Sequence, residues 1–220
     1  HPRPLLPLVQ MVGPIVLEVI EPLSPALQNW LETGSDNRDV IFMSFGTLAT
    51  LEPWQAQTLV EGMAGQTHRV LWALRKCEQH LLRSLPDSIL VNDFVPQQAV
   101  LAHPRVRAFI SHCGMNSVSE SLFAGKPILA LPIFGDQHYN AARITDLGVA
   151  LKLNKTGFTA QEVSQKLRRL LDEPRFTNAA RQMSIVLRNM HGRERAADLV
   201  ETVAFAGINH LRPETAYGSR

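Results

Sequence analysis

Residues 111 to 120 read Ser-His-Cys-Gly-Met-Asn-Ser-Val-Ser-Glu, which places His112, Asn116, Ser117 and Glu120 within nine positions. The apolar run Ala108-Phe-Ile110 precedes this stretch and a helix-compatible segment through Ala124 follows it. The polar turn therefore joins a strand to a helix N-terminus. Free N–H groups and the positive end of the dipole make such a terminus an anion site suited to a diphosphate. His112 sits at its mouth, and Glu120 is expected on the first helical turn, within reach of a ribose hydroxyl pair. A lone Asn116 or Ser117 would be read as a helix cap. Four different polar groups together ask for a ligand.

Two further strand ends carry small or polar residues. Phe45-Gly46-Thr47 forms a tight loop beside Ser44, and Leu131-Pro-Ile-Phe-Gly-Asp136-Gln137 presents an acid and an amide before a helix. In open α/β sheets, ligands bind outside the carboxyl ends of the strands, so three such ends define one candidate site. The common phosphate motifs are missing: there is no GxGxxG, and Gly125-Lys126 is followed by Pro127 without the upstream glycine of a P-loop. HExxH and GxSxG are absent too, which removes the sequence support for zinc proteases and serine hydrolases. No Asp-x-Asp pair occurs to carry a divalent metal, so no metal site is expected. Helix dipole and neutral donors must then stabilise any diphosphate.

The elements that position these residues follow from the apolar pattern. Val40–Phe45, Val70–Ala73, Ile89–Val91, Ala108–Ile110, Ile128–Leu131 and Val149–Leu153 are short apolar runs separated by longer helix-like segments. That alternation predicts an α/β fold with a parallel sheet flanked by helices. Val40–Phe45 and Ile128–Leu131 lack apolar/polar alternation, as strands covered on both faces do. Glu52-Pro53 opens a helix through Met63, and beyond Thr159 the pattern is helical to Gly207. Residues 162–171 and 194–203 are the clearest amphipathic stretches, expected to pack on or across the sheet. The proline-rich residues 1–39, broken at Pro14, Pro22, Pro25 and Gly34, read as an interdomain linker and lead-in segment. The domain proper spans 40–207, and 208–220 is a tail.

Composition bounds the partners. With 22 basic and 20 acidic residues spread along 220, the net charge of +2 gives no basic stripe for nucleic acid. Cys77 and Cys113 fit neither a disulfide framework nor a metal pattern and read as free thiols. No apolar run is long enough to span a bilayer, and His1-Pro-Arg-Pro-Leu-Leu-Pro is not a signal peptide. Asn154-Lys155-Thr156 is a glycosylation sequon that reads as a coincidental surface loop. Cys113, Met115, Trp30, Trp54 and Trp72 read as packing or interface residues, His103 as a helix terminator, and Asp146, Glu162, Arg168 and Arg169 as solvated.

Phe94-Val-Pro-Gln-Gln-Ala-Val-Leu-Ala-His-Pro104, Phe109-Ile-Ser-His-Cys-Gly-Met-Asn-Ser-Val-Ser-Glu120, Gly125-Lys-Pro127 and Pro132-Ile-Phe-Gly-Asp-Gln-His-Tyr-Asn-Ala141 closely resemble the signature of the UDP-glycosyltransferases. The likeness extends to Val12-Gly13-Pro14 and Val40–Thr47 and covers residues 12 to 207. It implies the C-terminal, Rossmann-like, donor-binding half of a GT-B enzyme. By that resemblance, Phe94 stands where the family usually has a tryptophan stacked on uracil, and Val95 meets the uracil edge through its backbone. Glu120 takes the ribose hydroxyls. His112, Asn116 and Ser117 take the diphosphate, joined by Ser44 and Thr47. Asp136 and Gln137 take the sugar, a glucose-configured one being compatible with Gln137. Gln97, Gly46 and Gly114 fall inside the same donor-binding motifs.

The implied reaction is an inverting transfer of a hexosyl group, glucose or glucuronic acid, from a UDP-sugar to a small lipophilic acceptor. UDP-sugar is a substrate, and no cofactor is implied. In the family the general base is a histidine, oriented by an aspartate, in the N-terminal half, so no catalytic residue is expected in this chain. The chain alone is expected to be inactive. Two alternatives stay open: a donor-binding subunit of a split glycosyltransferase, and a non-enzymatic nucleotide-binding domain. His210-Leu-Arg212 resembles the run into a membrane anchor, so membrane association through a removed tail is expected. The compartment, endoplasmic reticulum or cytoplasm, is left open.

Overall fold

The computed structural model describes residues 9–16, 21–33, 38–65 and 67–211. The run at His1, the break at Gly34 and the tail from 212 onward lie outside the described residues. The six apolar runs form β1 (Val40–Ser44), β2 (Arg69–Ala73), β3 (Ile89–Asn92), β4 (Val106–Ser111), β5 (Ile128–Ala130) and β6 (Ala150–Lys152). They lie in one sheet in the order β3-β2-β1-β4-β5-β6, with every neighbouring pair parallel. The strand order reverses between β1 and β4. Loops leaving those two strands must part to opposite sides, which opens a crevice at their carboxyl ends.

The helices in chain order are α1 (Pro25–Thr33), α2 (Pro53–Met63), α3 (Gln97–Ala102), α4 (Met115–Phe123), α5 (Gln137–Asp146), α6 (Ala160–Asp172), α7 (Pro174–Asn189) and α8 (Gly192–Ala206). Both sheet faces are covered, which is why β1 is buried at every position. Ile41, Met43, Val70 and Trp72 pack with Leu59, Met63, Val163 and Leu167 from α2 and α6. Phe42 and Phe109 stack with ring centroids 5.0 Å apart on the opposite face, beside Val100 and Leu101 of α3. Ile128 and Ala130 extend that layer to Val118, Leu122, Ala141, Ile144 and Ala180, from α4, α5 and α7. α4 and α5 are thereby fixed so that their N-termini open at the sheet's carboxyl edge.

Two elements depart from the sequence reading. Residues 25–33, within the proline-rich stretch, are helical. Pro25 is the first residue of α1, where a proline forfeits no hydrogen bond. Ser24 Oγ accepts the Leu27 N–H at 3.3 Å. Leu27 and Leu31, one turn apart, are buried with Val40, Phe42 and Leu71. Arg69 Nη1 and Nη2 donate to the carbonyls of Trp30 and Leu31, at 2.5 and 3.1 Å. Residues 25–33 thus pack against the sheet as a helix. Conversely, α8, which contains the expected amphipathic stretch 194–203, buries only Gly192 among its residues, and Val200 and Phe205 are exposed. It does not pack its apolar stripe on the described part of the sheet. A Cβ on Gly192 would lie 2.4 Å from the Pro14 carbonyl oxygen, so glycine there lets residues 9–16 cross the α7–α8 joint.

Candidate nucleotide-binding site

The strands at the switch point end in paired serines. Ser44 and Ser111 are register partners on β1 and β4. Ser44 Oγ accepts the Gly46 N–H at 3.3 Å and Ser111 Oγ accepts the Cys113 N–H at 3.1 Å, so each serine folds its own loop back. Each loop then turns through the left-handed region, at Gly46 (φ 72°) and Cys113 (φ 66°). The His112 imidazole lies between these loops. A Cβ on Gly46 would be 2.9 Å from His112 Cε1, and one on Gly114 would be 2.6 Å from Nε2. Neither position can carry a side chain without moving the ring.

Gly114 is the N-cap of α4, ahead of Met115, and contributes no side-chain acceptor. The helix is therefore capped by neither Asn116 nor Ser117, and its first N–H groups face the cleft. Because α4 starts at Met115, Glu120 stands on the second turn and not the first as the spacing suggested. Its carboxylate accepts from Gln97 Nε2 at 2.5 Å and from Gln98 Nε2 at 3.1 Å, across from the start of α3. Phe94, after β3, is 68% exposed at the cleft, which excludes a plain core aromatic; Val95 beside it is buried.

On the far side, the loop before α5 is held by its own side chains. Gln137 Oε1 accepts the N–H groups of Ile133 and Phe134, at 2.9 and 3.0 Å, leaving the amide nitrogen as its remaining donor group. Asn140 Nδ2 donates to Asp136 Oδ2 at 2.8 Å and to the Cys113 carbonyl at 3.0 Å. That fork ties the Asp136 loop to the His112 loop.

These loops enclose a cleft of about 580 Å³, within the usual range for small-molecule sites. Ser44, Gly46, Thr47, Phe94, Val95, Gln97, His112, Gly114, Asn116, Ser117, Glu120, Asp136 and Gln137 all line it. So does Met115, read from sequence as a packing residue and found half exposed on the cleft wall; Trp54, read the same way, is exposed against Phe158. Sequence reasoning also missed Arg75, two residues past β2. It lines the cleft, donates from Nη1 to the Thr47 carbonyl at 2.6 Å and from Nη2 to Thr50 Oγ1 at 3.1 Å, and pairs with Glu78 at 2.8 Å. Its place at a strand's carboxyl end was the available signal. The site thus has a cation beside its dipole and neutral donors. Burial pushes His112 below the ordinary histidine range, partly offset by the Ser44 carbonyl and Asp136. Its Nδ1 is buried without a partner of good hydrogen-bond geometry. Among the described residues, no three His, Cys, Asp or Glu side chains gather as a metal site, and no helix is long and apolar enough to cross a membrane.

A parallel sheet in this order, with an uncapped helix N-terminus and the Glu120 carboxylate lining a cleft at its switch point, is a Rossmann-like α/β domain of the kind that forms the C-terminal half of GT-B proteins. The chain belongs to the family described as UDP-glucoronosyl and UDP-glucosyl transferase, whose model matches residues 1–217. It is 38% identical over 213 residues to UDP-glycosyltransferase 1 of Phaeomoniella chlamydospora, covering 91% of this chain and 44% of that protein. It is 28% identical over 218 residues to UDP-glucuronosyltransferase 2A2 of Mus musculus, covering 96% and 40%. The chain thus spans less than half the length of these curated relatives. Among solved structures, Os79 of O. sativa in complex with UDP superposes with a TM-score of 0.70 at 25% identity, over 80% of this chain and 44% of that one. Phytolacca americana UGT2 complexed with UDP-2fluoro-glucose and pterostilbene gives 0.72 at 26% identity, over 88% and 48%.

Proposed function

We propose that this chain is the donor-binding half of an inverting UDP-glycosyltransferase, which moves glucose or glucuronic acid from UDP to a small lipophilic acceptor. The observation that carries the reading is the open N-terminus of α4, beside a half-buried His112 and within the same cleft as Glu120 and Phe94. Uracil stacks on Phe94 and meets the backbone of Val95. Glu120 accepts from the ribose hydroxyls. The diphosphate takes the N–H groups at Gly114, Asn116 and Ser117, with Ser44, Gly46 and Thr47 from the opposite loop. A neutral imidazole still donates one N–H, so His112 binds the leaving phosphate and offsets charge that grows on UDP as the glycosidic bond breaks. Asp136 and the amide nitrogen of Gln137 face the sugar hydroxyls.

The base that takes the acceptor proton lies outside this chain, so the chain alone binds donor and transfers nothing. The relatives named for UDP-bound structures support the nucleotide, and the description of the family names both sugars. The uncovered apolar stripe of α8 accommodates an acceptor-binding half on the same polypeptide or, in a second reading, a separate acceptor-binding protein. Calorimetric titration with UDP, with and without EDTA, tests the first reading. Metal-independent binding that His112→Ala and Glu120→Ala both weaken supports it. Absence of any uridine nucleotide binding, or acceptor glycosylation by the purified chain, overturns it; co-purification with an acceptor-binding protein selects the second.

A further inference from the structure

Glu120 is gripped from two sides by consecutive residues. Gln97 and Gln98 open α3, and successive helical residues point about 100° apart. Gln97 Nε2 donates to Glu120 Oε2 at 2.5 Å and to Ser117 Oγ at 3.2 Å, while Gln98 Nε2 donates to Oε1 at 3.1 Å. Gln97 lines the cleft, and Gln98 is not among the residues that line it. An ionised carboxylate has about four acceptor positions, two on each oxygen. One on each oxygen is filled by a glutamine, so one on each remains. That is the acceptor pattern a vicinal diol requires. The terminal torsion of a glutamate is soft, so the carboxylate needs both tethers to hold this orientation. Neutral amides provide them without neutralising the carboxylate, as a lysine or arginine would.

We propose that Gln98 is a positioning residue, which acts through Glu120 to set the site's preference for a nucleotide carrying an intact ribose diol. The proposal rests on the donor-site reading above. It also separates the two glutamines, since Gln97 can touch the nucleotide and Gln98 reaches it only through the carboxylate.

Calorimetry on the whole chain with UDP and with 2′,3′-dideoxy-UDP provides the test, for the wild type, Gln98→Ala and Gln98→Glu. The wild type binds UDP more tightly than the dideoxy analogue. Gln98→Ala weakens UDP about three- to tenfold and leaves the analogue within about twofold, so the preference narrows. Gln98→Glu places a second carboxylate against Glu120, replaces a donor by a like charge, and narrows the preference most. Gln98 is half-buried at the surface, and the melting temperature of Gln98→Ala stays at the wild-type value. Equal losses for both ligands, an unchanged preference in Gln98→Ala, or a wild type that does not distinguish the two ligands overturns the positioning role while the donor site stands. A wild type that binds neither ligand overturns the donor site and this proposal with it.

Discussion

A methyl group on Gly114 would lie 2.6 Å from Nε2 of His112, so the backbone of one residue sets the ring position of the other. Gly114 has φ −57°, which any residue adopts, so alanine there meets no backbone strain. The cost of Gly114→Ala therefore falls on the histidine. It should weaken UDP binding about tenfold, with a stability loss of about 1 kcal/mol or less from the poorer N-cap. In a His112→Ala background the same substitution should change UDP affinity by no more than about twofold, because the clash is gone. Calorimetry on the four proteins of this cycle checks it. Additive losses would separate Gly114 from the ring.

His112 also has a signature in pH. Burial holds its folded-state value below the 6.5 of an unfolded chain, so the unfolded state binds more protons between the two values. The stability from the neutral, buried ring is complete above about pH 6.5 and is lost as pH falls through the folded value. His68 and His103 are lowered by burial as well and add to the same slope. His112→Ala should reduce the slope without removing it. A bound diphosphate favours the protonated ring, so UDP should raise the His112 midpoint seen by NMR and leave that of His68 in place. An unmoved His112 midpoint would place the diphosphate elsewhere.

Arg75 tethers the loop that follows β1, through the Thr47 carbonyl and Thr50 Oγ1. Its side chain is about a third exposed, so solvent screens the Glu78 pair and its loss costs about 1 kcal/mol or less. Affinity should respond more than stability. Arg75→Ala should loosen the Thr47 loop and weaken UDP several-fold with a small change in melting temperature. Arg75→Lys keeps the charge but not the fork of donors and should restore little of the loss. The hydrogen bond from Arg75 is the main cause holding the Glu78 carboxyl low, so that group should titrate higher in Arg75→Ala. Full rescue by lysine would assign Arg75 a charge role alone.

The sheet and the cleft at its carboxyl edge are legible because their signals are local. Each strand is an apolar run, and His112, Asn116 and Glu120 sit in one contiguous stretch whose place at a strand end follows from strand-helix alternation. What the sequence could not show was pairing across the fold. Gln98 reaches Glu120 over 22 residues and Arg75 reaches Thr47 over 28, and no periodicity carries such distances. Glu120 was placed one turn early because Gly114, not a serine or asparagine, is the cap. The amphipathic pattern of 194–203 was read correctly as a helix and wrongly as a covered one: a stripe states that a face is apolar, not what covers it.

α1 went unread for a related reason, since Pro25 counts as a breaker in a window average although it starts the helix. Whether residues 25–33 form part of the domain is testable at Leu31, which is fully buried among Val40, Phe42 and Leu71. Removing a buried leucine side chain costs about 2–5 kcal/mol, whereas a residue in a solvated linker changes stability by about 0.5 kcal/mol or less. Leu31→Ala should therefore lower the melting temperature by roughly 5 °C or more. Glu32→Ala, one position along on the exposed side of the same helix, should leave it unchanged within about 1 °C. Both variants should bind UDP with wild-type affinity below their transitions, because α1 contributes no residue to the cleft lining. Equal melting temperatures for the two variants would return α1 to the linker and place the start of the domain at β1.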